Sequence, residues 1–471
     1  MSMTIRAQAV EPFEPPAPVP RTMPPSRLEI IRTVLRNPLE LWGTPSYTLP
    51  YIDTKFFGSR TLIVNHPGLI RHVLVDNVAN YRMAVVRQLI LRPILRDGLL
   101  TAEGEVWKRS RKAIAPVFTP RHAKGFANQM LAKSMEFVER YSAAAQTSFE
   151  TDISADMTDL TFEILSETLF SGEIVSDSND MSGDVDRLLH AMGRVDPMDL
   201  LQAPSWVPRL TRIGGTRVLE KFRKIVLDTM EKRRARMHTE PNLVPQDFLT
   251  LLLQLSGAGG LSDDEIEDNI LTFIGAGHET TARALAWTLY CVANVPDFRM
   301  AMEGEIDRVI ASGAEPVQWL DQMPHVRAAF EEAMRLYPPA PSINREAIRD
   351  DVWTAPDGDR VDIPAGMTVL VMPWTLHRHE TLWDRPRAYM PQRFLPENRD
   401  RIDRYQYLPF GAGPRICIGA IFAMQEAVIA LAVLMQRYRF DVTAESHPWP
   451  VQKLTTQPRD RLPMLVSARA H

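Results

Sequence analysis

Cys417, one of only two cysteines in the chain, lies in the run Phe410-Gly411-Ala412-Gly413-Pro414-Arg415-Ile416-Cys417-Ile418-Gly419. A long apolar helical pattern begins directly after it, over Ala420 to Tyr438. The N-terminal amides of such a helix point back toward the sulfur, and together with Arg415 they favour a thiolate over a thiol. Glycines at 411 and 413 permit backbone angles that other residues resist, and they keep side chains away from anything planar that approaches the loop. A thiolate presented to a flat surface is suited to be an axial ligand of haem iron. The competing reading of a lone cysteine is a buried structural thiol; the glycine-rich setting favours the ligand.

A second chemical cluster is Gly275-Ala276-Gly277-His278-Glu279-Thr280-Thr281. It falls within a helix that starts at Ser262-Asp263-Asp264-Glu265, a capping box with an acidic first turn. Two glycines inside a helix cost about 1 kcal/mol each relative to alanine and so call for a reason. Close helix packing is one reason; room for a flat cofactor and a diatomic ligand is the other. Thr280 lies four residues after Ala276, so its hydroxyl can bond the Ala276 carbonyl and open a local distortion. Once dioxygen has been reduced by two electrons to the peroxide level, heterolytic cleavage of its O–O bond needs two protons at the distal oxygen. A hydroxyl can position a water for that purpose and a carboxylate can relay protons from solvent, the roles that fit Thr280 and Glu279.

The cysteine segment resembles the haem-binding signature of the cytochrome P-450 family, the haem-thiolate monooxygenases, at every motif-defining position. Further motifs recur in the family's order over nearly the whole chain. The Ala276–Thr281 run is similar to the family's oxygen-activation motif, and Glu332-Ala333-Met334-Arg335 resembles its Glu-x-x-Arg motif. Pro391-Gln392-Arg393-Phe394 resembles the segment whose arginine completes that buried cluster, although relatives commonly carry glutamate where this chain has Gln392. The resemblance implies a haem b cofactor with Cys417 as the metal ligand, flanked by Phe410 and faced by Ala276 and Gly277. Trp107 and Arg111, at the family's Trp-x-x-x-Arg spacing, and Arg345 and Arg415 are implied as ligands of the haem carboxylates. Each of these arginines taken alone reads by default as a solvated surface residue; the matching set carries the implication.

The implied reaction uses O2 and two electrons to hydroxylate or epoxidise a hydrophobic organic molecule, with Glu279 and Thr280 as catalytic residues. Rival readings are an isomerase, a dehydratase, a peroxide-driven hydroxylase or a non-catalytic haem sensor; the intact Glu279-Thr280 pair argues against those that bypass oxygen activation. The resemblance places the pocket on Met83 to Leu100, Phe273, Ile274, Ala276, Pro341 to Ile343 and Leu454 to Thr456, with a mobile lid over roughly 176–236. Arg82, Arg87, Arg92 and Arg96 either meet a substrate carboxylate or face solvent, and solvent is the expectation. Electrons are expected from an external ferredoxin or flavodoxin with its reductase. The basic run Trp107-Lys108-Arg109-Ser110-Arg111-Lys112 reads as a docking patch for an acidic donor or as a solvated helix face.

These residues need elements to position them. A content of 45% hydrophobic and 24% charged residues describes an ordinary globular protein. A formal net charge of −4 argues against a nucleic-acid binder. Two cysteines cannot build a disulfide framework, so a reducing cytoplasm is expected. The longest uninterrupted apolar run, Ala427 to Met435, is about half of the ~20 residues that span a bilayer; no membrane anchor and a soluble, bacterial-type monomer are expected. Residues 1–25 read as a Pro-rich, loosely packed arm, and 26–471 as a single catalytic domain. Ser59 to Asn65, Thr368 to Met372 and Phe440 to Val442 read as strands. Helical patterns dominate from Glu105 to about Arg335, and a helix runs from Pro324 to Pro338-Pro339. The expected fold class is mainly α with a small β region (α+β), the cytochrome P-450 fold around haem.

Overall fold

The central helix runs unbroken from Asp263 to Ala293, and almost every side chain on it after the first turn is buried. Its capping box forms as the sequence dictates: the Glu265 amide donates to Ser262 Oγ at 3.2 Å, and the Ser262 amide donates to Glu265 Oε2 at 2.8 Å. Thr280 Oγ1 donates to the Ala276 carbonyl at 2.8 Å, yet the helix continues through that turn. The expected distortion is therefore limited to the extra hydrogen bond.

The computed structural model describes residues 12–56, 59–144, 148–174, 215–256 and 260–469, together with Asp196, Met198, Val207 and Arg209. Most of the expected lid lies outside the described residues; its last part is the helix Gly215–Thr239. The central helix is enclosed by the helices Ile153–Phe170, Pro324–Leu336 and Ala420–Arg437. Ala420–Arg437 is long and apolar enough to cross a membrane, but 67% of it is buried inside the protein, where it serves as a core helix.

A five-stranded sheet stands beside this helical core, in the order Tyr51–Phe56, Ser59–Val64, Thr368–Val371, Ile343–Ala347, Tyr81–Met83. Only the Ser59–Val64 and Thr368–Val371 pair is parallel. The register sets Arg345 between Val369 and Met83, which carries its side chain to the sheet end nearest the cysteine loop. A three-stranded sheet joins Ser148–Asp152, Pro463–Ala468 and Tyr438–Val442, tying the end of the chain to its middle.

The described part of the Pro-rich arm is docked rather than loosely packed. Tyr337 Oη donates to the Pro16 carbonyl at 2.7 Å, the Tyr389 amide donates to the Phe13 carbonyl at 2.9 Å, and the Phe13 ring meets Tyr290 edge-on. Pro15 and Pro18 are buried. Prolines lack the N–H that burial would strand, so their carbonyls can be satisfied by core tyrosines at little cost.

Candidate active site

A cavity of about 340 Å3 lies between the central helix, the cysteine loop, the helix Val85–Leu95 and the strand Ile343–Ala347. All ten positions singled out in the sequence line it: Trp107, Arg111, Ala276, Gly277, Glu279, Thr280, Arg345, Phe410, Arg415 and Cys417. The remaining wall is largely apolar. Ile274 and Thr456, expected here, are instead packed in the core, and Thr455 takes the place on the wall.

On one side of the cavity stands Cys417, whose amide donates to the Phe410 carbonyl at 2.9 Å and closes the loop on itself. The surface it exposes belongs to the cavity wall, and protein surrounds it otherwise. Burial pushes the thiol above its ordinary pKa, opposed by the Gly419 amide and by Arg111. The Gly419 amide acts in the direction expected of the helix terminus, and Arg111 rather than Arg415 is the cation that acts on the sulfur. Arg415 is engaged elsewhere: it pairs with Glu103 at 2.8 Å, donates to the Ala102 carbonyl at 2.9 Å, and lies over the Trp107 ring at 4.6 Å. A coordinated metal would hold the Cys417 thiol as its anion.

The loop's two glycines do different work. Both sit in the left-handed region, with φ of 74° at Gly411 and 73° at Gly413. A Cβ at Gly411 would lie 3.9 Å from Ile343 Cδ1, whereas at Gly413 it would lie 1.9 Å from the Leu74 carbonyl oxygen. Gly413 therefore lets the loop seat against the backbone of the turn His72–Asp76, a packing role in place of the expected clearance for a flat group. Gly277 divides its duties similarly. It touches the cavity, and a Cβ there would meet Leu165 Cδ1 at 2.7 Å.

Four arginines converge on this cavity, Arg87, Arg111, Arg345 and Arg415. Among the described residues the only carboxylate paired with any of them is Glu103, on Arg415. Arg345 is buried and, among the described residues, its side chain donates only to the Asn344 carbonyl, at 3.0 Å. Its burial, with Arg87 and Arg415 nearby, lowers its pKa to about 10. Clustered cations, of which only Arg415 has a carboxylate partner among the described residues, call for anions. A flat disc with two carboxylates at one edge, apolar elsewhere and open to a thiol at its centre, fits these walls; haem b is such a group.

Across the cavity from the thiol, Ala276 and Thr280 expose surface on the central helix. Glu279 is buried, and its Oε1 accepts from Thr455 Oγ1 at 2.8 Å. Sequence reasoning placed Thr455 only in a general pocket region; nothing local in the sequence announces a bond spanning so many residues.

The cysteine loop is braced from behind. Arg335 Nε and Nη2 donate to Glu332 at 2.7 and 2.8 Å, a two-pronged pair with both side chains fully buried. Arg393 Nε stands 3.4 Å from Glu332, and the Met390 amide donates to the same carboxylate at 2.8 Å. Arg335 also donates to the carbonyls of His377, Pro386 and Ala388. His377 extends this cluster to the loop: its Nε2 accepts from the Leu408 amide at 2.8 Å, which assigns the proton to Nδ1, facing the Arg335 carbonyl. Burial and the adjacent Arg335 lower its pKa to about 3. His377 carried no motif and was missed in the sequence. Gln392 is exposed, so the departure from the family pattern falls outside the cluster.

The basic run on Gly104–Ile114 is mostly committed. Arg109 pairs with Glu265 of the central helix, Lys108 with Glu105, and Arg111 faces the cavity. Lys108 and Arg109 remain exposed in these pairs, 65% and 41%, so the run forms part of a solvated helix face.

Comparison with known proteins agrees with this geometry. The family description "Cytochrome P450" matches residues 49–464. Cyclooctatin synthase of Streptomyces melanosporofaciens is 29% identical over 416 residues, covering 84% of this chain and 85% of that protein. Cytochrome P450 3A56 of Fundulus heteroclitus is 30% identical over 398 residues, covering 82% and 79%. Among solved structures, a cytochrome P450DA heme domain superposes with a TM-score of 0.80 at 23% identity, covering 97% of this chain and 99% of that one. A match over that span, with a fold that closes on a thiol and a ring of arginines, makes this chain a member of the cytochrome P450 family.

Proposed function

We propose that the chain oxidises an apolar small molecule held in the cavity, with Cys417 as the metal ligand and with Glu279 and Thr280 managing protons. Membership of the family makes it a haem-thiolate monooxygenase with haem b as cofactor. Cys417 would hold the metal, and Arg111, Arg345, Arg415 and Trp107 the two carboxylates, with Phe410 beside the loop and Ala276 and Gly277 on the opposite wall. When bound, haem b supplies the dioxygen chemistry that places one oxygen atom in a C–H or C=C bond and releases the other as water.

The chain's own residues do the rest. Thr280 Oγ1 already donates to the Ala276 carbonyl, so its lone pairs face the cavity and can accept from a water. Glu279, one residue away, holds a carboxylate between that wall and Thr455 and can pass protons inward by a change of partner. The apolar wall excludes bulk water, which keeps those protons from being delivered at random. The observation that carries this reading is the convergence of Cys417, Thr280 and the unbalanced arginines on one cavity.

Electron supply from a separate ferredoxin or flavodoxin with its reductase is part of the proposal, as are a cytoplasmic location and a monomer. The test is product formation with O2, NADPH and a surrogate ferredoxin and reductase. Product in proportion to NADPH supports a coupled monooxygenase; turnover with NADPH and substrate alone would remove the external donor, and product from peroxide alone would favour the peroxide-driven reading.

A further inference from the structure

Of the four arginines on and beside the helix Val85–Leu95, Arg82 and Arg92 pair at the surface with Glu346 and Asp97, Arg96 is exposed, and Arg87 lines the cavity. The expectation of solvent therefore fails at Arg87 alone. The C-terminal end of the same helix carries a feature that no local pattern announces. Ile94, Leu95 and Leu99 line the cavity, and the turn that carries them is fastened to two other elements.

One fastening is to the central helix. The Asp97 amide donates to Asp268 Oδ2 at 3.1 Å, and the Leu99 amide donates to Asn269 Oδ1 at 2.9 Å. Asp268 and Asn269 are both buried. Between the two bonds Gly98 lies flush against the helix: a Cβ there would stand 2.1 Å from Thr272 Oγ1 and 2.6 Å from the Asp268 carbonyl oxygen. Arg96, just before, has φ of 40°, a left-handed conformation that is costly for a residue with a Cβ and persists where surrounding bonds impose it.

The other fastening is to the helix Gly215–Thr239. Arg223 Nη2 donates to the Ile94 carbonyl at 3.1 Å, while its Nη1 donates to Glu267 Oε1 at 2.5 Å and to Asp268 Oδ1 at 3.3 Å. The rigid fork of a guanidinium suits this double duty, a carbonyl on one prong and carboxylates on the other. Further along the same helix, Arg233 pairs with Asp247 and Glu173, and Arg234 with Asp263. Of these three arginines only Arg223 reaches the cavity wall. Any movement of its end of the helix away from the central helix has to break the fork, and the wall end then loses its outer tie.

We propose that Arg223 is a latch that sets the size of molecule the cavity admits. Engaged, it holds the turn bearing Ile94, Leu95 and Leu99 against the central helix; released, it lets that turn swing outward and admits bulkier substrates. Arg223 does not line the cavity, so it acts as a positioning residue. The latch rests on the monooxygenase reading and adds to it a determinant of substrate size.

The test uses the haem-loaded full chain and three azoles of rising size, imidazole, 4-phenylimidazole and clotrimazole, which coordinate the metal and shift its Soret band. Association rates are read by stopped flow. Arg223→Met keeps the apolar stem and removes the fork. It should speed clotrimazole about 10-fold, the scale of one hydrogen bond to a charged group, and leave imidazole within about 2-fold of wild type. Arg223→Lys keeps the charge but not the fork; it should act in the same direction and stands in if Arg223→Met does not retain haem. Gly98→Ala pushes the wall end off the central helix by a separate route and should also favour clotrimazole. Arg234→Met breaks an ion pair of the same helix that does not touch the wall and should leave all three rates unchanged. Clotrimazole gaining no more than imidazole in the Arg223 variants overturns the latch, and so does an equal gain in Arg234→Met. A reduced, carbon monoxide-treated wild type is recorded alongside. A thiolate signature without the size-dependent gain removes the latch alone, whereas no thiolate signature removes the monooxygenase reading and the latch with it.

Discussion

Replacing Gly413 with alanine should damage the protein far more than replacing Gly411, although the two share a loop and a backbone conformation. At φ of 73° and 74° each substitution incurs the same left-handed penalty, about 1–2 kcal/mol for any residue with a Cβ. The difference lies in what the new methyl meets. At 411 it stands 3.9 Å from the end of a side chain, an ordinary contact; at 413 it stands 1.9 Å from the Leu74 carbonyl oxygen and 3.0 Å from its carbon. Two backbones must part, and overpacking of that kind adds about 1–3 kcal/mol or more. Gly411→Ala should therefore cost about 1–2 kcal/mol, and Gly413→Ala about 2–5 kcal/mol with poor haem loading. Urea midpoints read by tryptophan fluorescence and the yield of thiolate-ligated haem measure both. If Gly411→Ala proves the more harmful, the loop's glycines serve clearance for the cofactor, and the packing argument from Leu74 is wrong.

Other perturbations probe the remaining parts. Glu332→Gln leaves Arg335 buried with half of its partnership, and breaking a buried ion pair costs about 3–5 kcal/mol; an unchanged urea midpoint would show that the carbonyls around Arg335 suffice. His377 has a folded pKa of about 3 against an ordinary 6.5, so its contribution to stability is whole above pH 6.5 and is lost as pH falls toward 3. At pH 4.5 that loss is about 3 kcal/mol, and His377→Gln, which can still accept from Leu408, should unfold with a shallower acid slope. Glu426 is buried with Thr281 as its polar neighbour, and burial raises its carboxyl well above the usual range. It destabilises the fold as pH rises past the ordinary carboxylate value, so Glu426→Gln should match or exceed wild-type stability at pH 7 and lose that advantage below pH 4. Thr280→Ala should keep its haem but consume oxygen with poor yield of product; unchanged coupling would remove Thr280 from proton handling.

What could be read from the sequence was local or motif-borne. The capping box at Ser262, the strand at Ser59, the helix stop before Pro338 and the Glu332–Arg335 pair depend on spacings of a few residues, and each forms. The ten cavity positions were legible mainly through the resemblance to the family's motifs, with the local chemistry of Cys417, Glu279 and Thr280 pointing the same way. What was missed depends on pairings across the chain. Thr455 reaches Glu279, Leu74 meets Gly413, His377 meets Leu408, and Tyr337 takes the arm at Pro16, all through side-chain or backbone contacts with no local pattern. Charges were the least legible of all. Two members of a basic run found intramolecular carboxylates, and one arginine among four turned inward, because pairing depends on which carboxylate the fold brings near.

The central claim is that Cys417 is the metal ligand of a thiolate-bound haem. The direct measurement is the absorption spectrum of the reduced protein under carbon monoxide. The account predicts a Soret band at the strongly red-shifted position of thiolate ligation, lost in Cys417→Ala. A band at the histidine position in wild type would contradict it.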